Sequence, residues 1–254
     1  MRLATFNILH GRSPSDGHVD VARFAQGIRR IDADVLALQE VDRDQPRSGQ
    51  ADLTAIAADA MRADNHRFVA TLHGEPGTWV AATGEGQPDT AAYGIALLSR
   101  YPVRTWEVTT LPALSRAVLM VHPGSRRPVL THDEPRAAAA AVLETPTGPL
   151  TVVATHLSFI RGWNAVQLRA LVKVCRALPR PLALLGDLNT GPRVARRLTG
   201  WEPAAAIATF PSGAPTRQLD HVLLDGHVRP AGDPVALDAG VSDHRALVVD
   251  VALG

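Results

Sequence analysis

Ala183-Leu184-Leu185-Gly186-Asp187-Leu188-Asn189 is the stretch on which the reading of this chain turns. An apolar run stops at a glycine, and two hydrogen-bonding side chains follow two residues apart. If the backbone is extended there, both side chains face the same way. An acid and an amide so placed can hold one water between them, Asp187 taking its proton and Asn189 fixing its lone pair. The same pair suits an Asx turn equally well. Working outward, Pro181 to Leu185 reads as a buried strand. It is preceded by a helix over about Asn164 to Leu178, with Leu168, Leu171, Val172 and Cys175 on one face. Before that helix, Leu150 to Thr155 reads as another strand, ending at His156.

The first half of the chain echoes this unit. Leu3-Ala4-Thr5 resembles Val153-Ala154-Thr155, and Leu36-Ala37-Leu38 resembles Leu182-Ala183-Leu184. A helix carrying Val21, Phe24, Ala25 and Ile28 lies between the first pair. Each run ends in a polar residue: Asn7, Glu40, His156 and Asp187. Polar groups collected at strand ends are the way a sheet presents a site. A further helix holds Leu53, Ile56, Ala57, Ala60 and Met61 behind the cap Asp52, and Ala246 to Val251 closes the chain as a strand. Ala137 to Ala141 prefers helix by intrinsic propensity. The turn residues Pro146-Thr147-Gly148 and the returning run 150–155 instead favour a hairpin. The Gly-, Pro- and polar-rich segments 74–92, 122–135 and 226–241 read as surface loops.

The composition is that of a globular protein: 254 residues, 46% hydrophobic and 20% charged. No composition shift divides the chain, so a single domain over 1–254 is expected. Twenty-six basic against twenty-five acidic residues leave a net charge of +1, which offers no broad field for holding nucleic acid. Lys173 is the sole lysine, so phosphate contacts fall to arginine forks. The single Cys175 excludes an internal disulfide and sits on an apolar helical stripe as an inert thiol. No apolar run approaches the ~18 residues that cross a bilayer. Met1-Arg2 leads straight into Leu3-Ala4-Thr5-Phe6 without a signal core, so a cytoplasmic location is expected; a monomer is expected as well.

Glu40 follows the run Leu36-Ala37-Leu38-Gln39 as a strand-end acid. Such an acid needs donors or a cation, and magnesium, held by one or two carboxylates and waters, is one fitting partner; a helix cap or a solvated edge charge is another reading. Asn7 closes Thr5-Phe6-Asn7 and reads equally as a turn residue. Near the C-terminus Ser242-Asp243-His244 precedes the last strand, and Asp220 in Gln218-Leu219-Asp220-His221 could orient the His244 ring. Of the ten histidines, His156 and His244 stand out because each borders a buried strand. His10 and His221 lie next to these positions as supporting candidates.

Together these segments resemble the endonuclease/exonuclease/phosphatase superfamily, the deoxyribonuclease I-like fold. The ordered set runs through Thr5-Phe6-Asn7, Leu38-Gln39-Glu40-Val41, Tyr93 to Arg100, Thr155-His156-Leu157, Gly186-Asp187-Leu188-Asn189, Leu219-Asp220-His221 and Ser242-Asp243-His244. Any one of these is weak, whereas their order over nearly the whole chain is specific. The resemblance implies a four-layer α/β sandwich, two mixed β-sheets packed face to face with helices outside, and a divalent-metal site at one sheet edge. It implies Glu40 as principal ligand of Mg²⁺ or Mn²⁺, Asn7 as ligand or phosphate contact, and Asp243 as a further metal-side acid. Asp187 with Asn189 would align the attacking water, and His244, oriented by Asp220, and His156 would contact the phosphate. Arg136, in Glu134-Pro135-Arg136, would be a phosphate fork. Two departures stand out: His221 replaces the aromatic usual after the Asp220 position, and the acid that pairs with His156 is not evident, Glu85 and Asp89 being loop candidates only. The patterns His10-Gly11, Asp42-Arg43, Arg47-Ser48-Gly49 and Thr209-Phe210-Pro211 look most like the superfamily's small bacterial hydrolases.

The expected activity is therefore metal-dependent hydrolysis of a phosphate ester by in-line water attack. There is no G-x-S-x-G elbow, P-loop lysine or H-E-x-x-H pair to support rival chemistries. A nucleic-acid phosphodiester is the leading substrate by resemblance, with Arg136 and the pair Arg126-Arg127 as phosphate contacts. A phospholipid or inositol-phosphate head group is the alternative. A non-catalytic binding protein on the same fold would have no need of a complete polar set, and here the set is complete.

Overall fold

Both strand–helix–strand units form, and each becomes the centre of a sheet. A computed structural model describes residues 1–82, 90–121 and 127–254. Its first half contains β1 (Arg2–Asn7), α1 (Val21–Ile31), β2 (Val35–Arg43), α2 (Leu53–Met61), β3 (Asn65–His73), β4 (Val80–Ala81), β5 (Ala92–Ser99), β6 (Val103–Leu111), β7 (Val118–Met120) and β8 (Val129–Thr131). There follow β9 (Arg136–Thr145), β10 (Gly148–His156), α3 (Trp163–Cys175), β11 (Leu182–Asp187), α4 (Pro192–Thr199), β12 (Glu202–Pro203), β13 (Asp220–Asp225), β14 (Val228–Pro230), β15 (Val235–Leu237) and β16 (Ala246–Leu253). Asp52 caps α2 as expected, accepting from the Ala55 amide at 2.9 Å. The segments 74–92, 122–135 and 226–241, expected as loops, hold the short strands β4, β8, β14 and β15. Runs of two or three residues are too short for an alternating pattern to show, and only their pairing partners reveal them.

The parallel pairs β1–β2 and β10–β11 are the echoed units, joined through α1 and α3 respectively. Around the first lies an eight-stranded sheet in the order β14-β16-β1-β2-β5-β3-β4, with β15 on β16. Around the second lies a six-stranded sheet in the order β12-β13-β11-β10-β9-β6. Their other pairings are antiparallel, so both sheets are mixed. Leu3, Ala37 and Leu97 of the first sheet pack against Ala139, Val152 and Leu185 of the second. Alternation turns Leu36 and Leu38 the other way, onto Phe24 and Ile28 of α1 and Leu53 and Met61 of α2. Val153 and Leu184 likewise meet Leu168, Leu171 and Cys175 of α3 and Ala195 of α4. Each such fully buried large side chain contributes roughly 1.5–3 kcal/mol. The result is the four-layer sandwich, helices outside. Cys175 is buried, and burial pushes its thiol up to about 12, as an inert thiol requires. Among the described residues no helix is long and apolar enough to cross a membrane.

Ala137 to Ala141 lies in β9, and burial on both faces explains why. Ala137, Ala139 and Ala141 face the layer between the sheets, while Ala138 and Ala140 face α3. Tertiary packing thus overrides helix propensity. Gly186 is fixed by close approach, since a Cβ there would meet the Thr155 carbonyl oxygen of β10. Gly186→Ala must therefore spread the two strands that carry His156 and Asp187, at an expected cost of about 1–3 kcal/mol in urea denaturation. An unchanged denaturation midpoint would show that the strand pair yields there without strain.

Candidate active site

β1 and β2 cross β10, β11 and β13 between the sheets, so their polar ends meet at one edge. Glu40 was expected just beyond a strand. It stands inside β2 instead, at a bulge where Gln39 pairs with Ile95 and Val41 already with Gly94. Its φ of +57° is left-handed. Such a conformation costs a non-glycine residue about 1–3 kcal/mol, and it re-aims the carboxylate into the cleft. Leu9, His10, Asn189 and Ser242, near the same edge, also have positive φ.

Asn7 ties the two sheets together at the site. Its Nδ2 donates to Glu40 Oε1 at 3.0 Å and to Asp187 Oδ2 at 3.2 Å, while its Oδ1 accepts from the Leu9 amide at 3.2 Å. Asp187 Oδ1 accepts from the Asn189 amide at 2.9 Å. The two residues do not share one face of a strand: β11 ends at Asp187, and Asn189 is left-handed with φ +49°. The Asx-type turn and the converging site are thus one feature. Asn189 Nδ2 donates to the Leu157 carbonyl at 3.0 Å and lies 3.4 Å from His156 Nε2. Asn164 and His221 hold this turn from behind, the former donating to the Asn189 carbonyl at 2.7 Å and the latter, through Nε2, to that of Thr190 at 2.8 Å.

Two imidazoles flank Asp187. His244 Nε2 lies 3.8 Å and His156 Nε2 3.7 Å from Asp187 Oδ2. Their environments set opposite protonation states. His244 Nδ1 donates to Asp220 Oδ2 at 2.9 Å, and Thr209 Oγ1 donates to the same oxygen at 2.6 Å. Burial alone would lower the His244 pKa, but Asp220, Asp187 and Asp243 raise it to about 10, so the ring is a cation at neutral pH. His156 is held well below its ordinary value by burial and by the charges of Arg136 and His244. Arg136 Nη1 donates to His156 Nδ1 at 2.9 Å, which leaves the proton of this neutral ring on Nε2, toward Asp187. An arginine therefore stands where an acid was sought. Glu85, Asp89 and Arg126 lie outside the described residues.

The resemblance implies Arg136 as a phosphate fork. Its Nη1 is engaged by His156 and its Nη2 by Glu134 Oε2 at 3.0 Å, and buried Nε alone has no partner. The register that pairs Thr155 with Ala138 leaves Arg136 and His156 at one sheet edge, a pairing the hairpin read from the sequence did not fix. Thr209 and the cleft walls were not assigned roles from the sequence. The cleft has a volume of about 610 Å³ and places Asn7, Glu40, His156, Asp187, Asn189 and His244 against Trp79, Tyr93, Phe159 and Phe210. The Phe210 ring packs on His244 at 4.9 Å between centroids. Arg47 sits over Trp79 and Tyr93 and is paired with buried Asp42 through bonds of 2.8 and 2.7 Å.

Asp187, Asp220 and His244 could offer one atom each to a metal ion, all within 4.8 Å of one another. His244 Nδ1 is already held by Asp220, however, and hard divalent cations prefer oxygen. Glu40 fits such an ion better. Burial raises its pKa, and Asn7 is the neutral donor that holds it. Asp187 is raised to about 7, by burial and then by the Asp220 charge. The charges of His244 and Arg136 offset only part of the burial cost of these acids, and a divalent cation would offset more of it. Asp243 is half-buried, near enough for its charge to raise both Glu40 and His244.

Fold and site define a deoxyribonuclease I-like α/β sandwich with an acid- and histidine-lined edge. The family model of the endonuclease/exonuclease/phosphatase family matches residues 4–244, and the chain belongs to that family. An endonuclease/exonuclease/phosphatase from Beutenbergia cavernae superposes with a TM-score of 0.71 at 24% identity, over 100% of this chain and 72% of that one. A mannosyl-6-phosphatase from Bacteroides thetaiotaomicron gives 0.63 at 15% identity over 100% of both chains. Sphingomyelinase C from Streptomyces griseocarneus gives 0.61 at 17% identity over 98% of both. At these identities the likeness is one of fold. No curated protein matches the sequence.

Proposed function

We propose that the protein is a divalent-metal-dependent phosphoester hydrolase acting by in-line attack of water, without a covalent enzyme intermediate. The observation that carries this reading is Asp187. It is a buried carboxylate with a pKa near neutrality, flanked by a cationic and a neutral imidazole and bridged by Asn7 to Glu40. Asp187 accepts the proton of the attacking water as general base. Asn189 orients that water. His244, held charged by Asp220, and the Nε2–H of His156 face the non-bridging oxygens and stabilise the charge that grows on them. Asn7 keeps Glu40 and Asp187 at a fixed separation. Glu40, with Asp187 and Asp243 nearby, would hold Mg²⁺ or Mn²⁺, which when bound neutralises phosphoryl and leaving-group oxygens.

The charge pattern favours a compact phosphoester over a polynucleotide. Of the arginines lining the cleft, Arg47 and Arg136 are each tied to a carboxylate within the protein and Arg217 stacks over Phe210, which leaves one arginine for a phosphate rather than a row along a phosphate backbone. A sugar-phosphate or lipid head group suits an aromatic-walled cleft of this size, in keeping with the substrates named for the Bacteroides and Streptomyces proteins. The test is hydrolysis of a soluble diester, inositol phosphates, mannose 6-phosphate, sphingomyelin and plasmid DNA before and after exhaustive chelation. Chelation should abolish activity, and Mg²⁺ or Mn²⁺ should restore it; full activity after chelation would overturn the reading. Glu40→Gln should raise the half-saturating metal concentration by about tenfold or more. An unchanged titration would remove Glu40 from the ligands.

A further inference from the structure

The antiparallel pair β7–β8 belongs to neither large sheet and forms a two-stranded sheet of its own. Its register sets Leu119 opposite Leu130, with Val118 opposite Thr131 and Met120 opposite Val129. Cross-strand partners share a face and neighbouring pairs alternate. One face therefore carries Met120 and Thr131, which line the catalytic cleft. The other presents Leu119 and Leu130, 69% and 63% exposed. Isolated exposed leucines are ordinary, but two in direct cross-strand contact on a free-standing ribbon form a patch. Among the described residues, exposed Arg116 precedes β7 and exposed Arg127 precedes β8, while Asp133 beyond β8 is engaged by the Leu114 amide and the Ser158 hydroxyl.

We propose that the Leu119–Leu130 face of β7–β8 docks the protein on an anionic lipid surface. An apolar pair with exposed Arg116 and Arg127 beside its two strands matches the chemistry of such a surface, where side chains enter the acyl boundary and cations meet anionic head groups. The opposite face of the same ribbon is a wall of the cleft, so docking there sets the cleft mouth against the head groups. That last step, an interfacial phosphoester as substrate, rests on the phosphoesterase reading above; the docking itself does not. Val80, 64% exposed beside the cleft residue Trp79, offers a second apolar contact on the rim.

The test is flotation of the full chain with vesicles of phosphatidylcholine alone and of phosphatidylcholine mixed with phosphatidylserine. Wild type should float with the mixed vesicles and much less with the neutral ones. Leu119→Asp/Leu130→Asp should weaken that binding at least about tenfold. The milder Leu119→Ser/Leu130→Ser should weaken it in the same direction, and Val166→Asp on α3 should bind as wild type. Bis(p-nitrophenyl) phosphate hydrolysis with Mn²⁺, a small soluble substrate, should be equal in all of these. Absence of wild-type binding, or equal binding by both Leu119/Leu130 double variants, would overturn the proposal. So would a wild-type dimer that the Asp variant dissolves without any vesicle binding, because the face would then belong to a second copy. Vesicle binding without diester hydrolysis by any form would leave the docking standing and sink the phosphoesterase reading instead.

Discussion

Asp187→Asn is expected to lower turnover by on the order of 100-fold or more, the scale of losing a positioned base, while the stability of the metal-free variant relative to wild type rises with pH. The reason lies in its surroundings. Burial, then the charge of Asp220, raises Asp187 to about 7, whereas an unfolded aspartate titrates near ~3.9. Between these values the folded state holds the extra proton, so this group's contribution to stability falls as pH rises from about 4 to about 7. Asparagine removes that pH dependence; its oxygen still accepts from the Asn189 amide, while its NH2 meets the Asn7 Nδ2 donor, a cost that does not change with pH. Urea denaturation of both forms at about pH 5 and about pH 8, in chelator, should show the variant gaining on wild type at the higher pH. A stability difference that does not change with pH would show Asp187 to be ionised throughout, and unaltered turnover would remove it as the base.

His244→Ala should cost both activity and stability. Asp220 is fully buried and relies on His244 and Thr209, with its Oδ1 already lacking a partner. Removing the cation strands a buried charge, which costs about 3–5 kcal/mol, and turnover should fall on the order of 100-fold. His244→Gln separates the two effects, since a neutral donor can reach Asp220 but brings no charge to the phosphoryl oxygens. Stability should largely return and turnover should not. The pH sign is opposite to that of Asp187. The folded pKa of about 10 lies above the ordinary 6.5, so the contribution of the His244 pair is complete below pH ~6.5 and is lost as pH rises through about 10. A wild type whose advantage over His244→Gln is the same at about pH 6 and about pH 10 would show that the ring is neutral in the fold.

His244 and His156 face one carboxylate from opposite protonation states, and the cause is which residue holds each Nδ1. Asp220 makes one ring a cation, and Arg136 makes the other a neutral donor with its tautomer set. The site thus holds one positive and one neutral ring beside Asp187, which limits the repulsion a second imidazolium would bring.

What the amino-acid order determined by itself is local. Apolar runs with polar ends, the Asp52 cap, the 3.6-residue periodicity of α1 to α3 and the turn between β9 and β10 are set by neighbours within a few residues, and so the parallel units and the ordered polar set were legible. Tertiary structure alone decided the contacts between residues far apart in the chain. Asn7 and Asp187 meet across 180 positions because two sheets dock face to face. The bulge that turns Glu40 inward exists only in its pairing with β5. Asn189 converges on the site through a left-handed turn, where extended alternation would have placed it differently. The exposed Leu119–Leu130 pair likewise depends on the register of two three-residue strands. Local propensity cannot specify such pairings, because their free energy comes from burying both partners at once, and that happens only when the layers close.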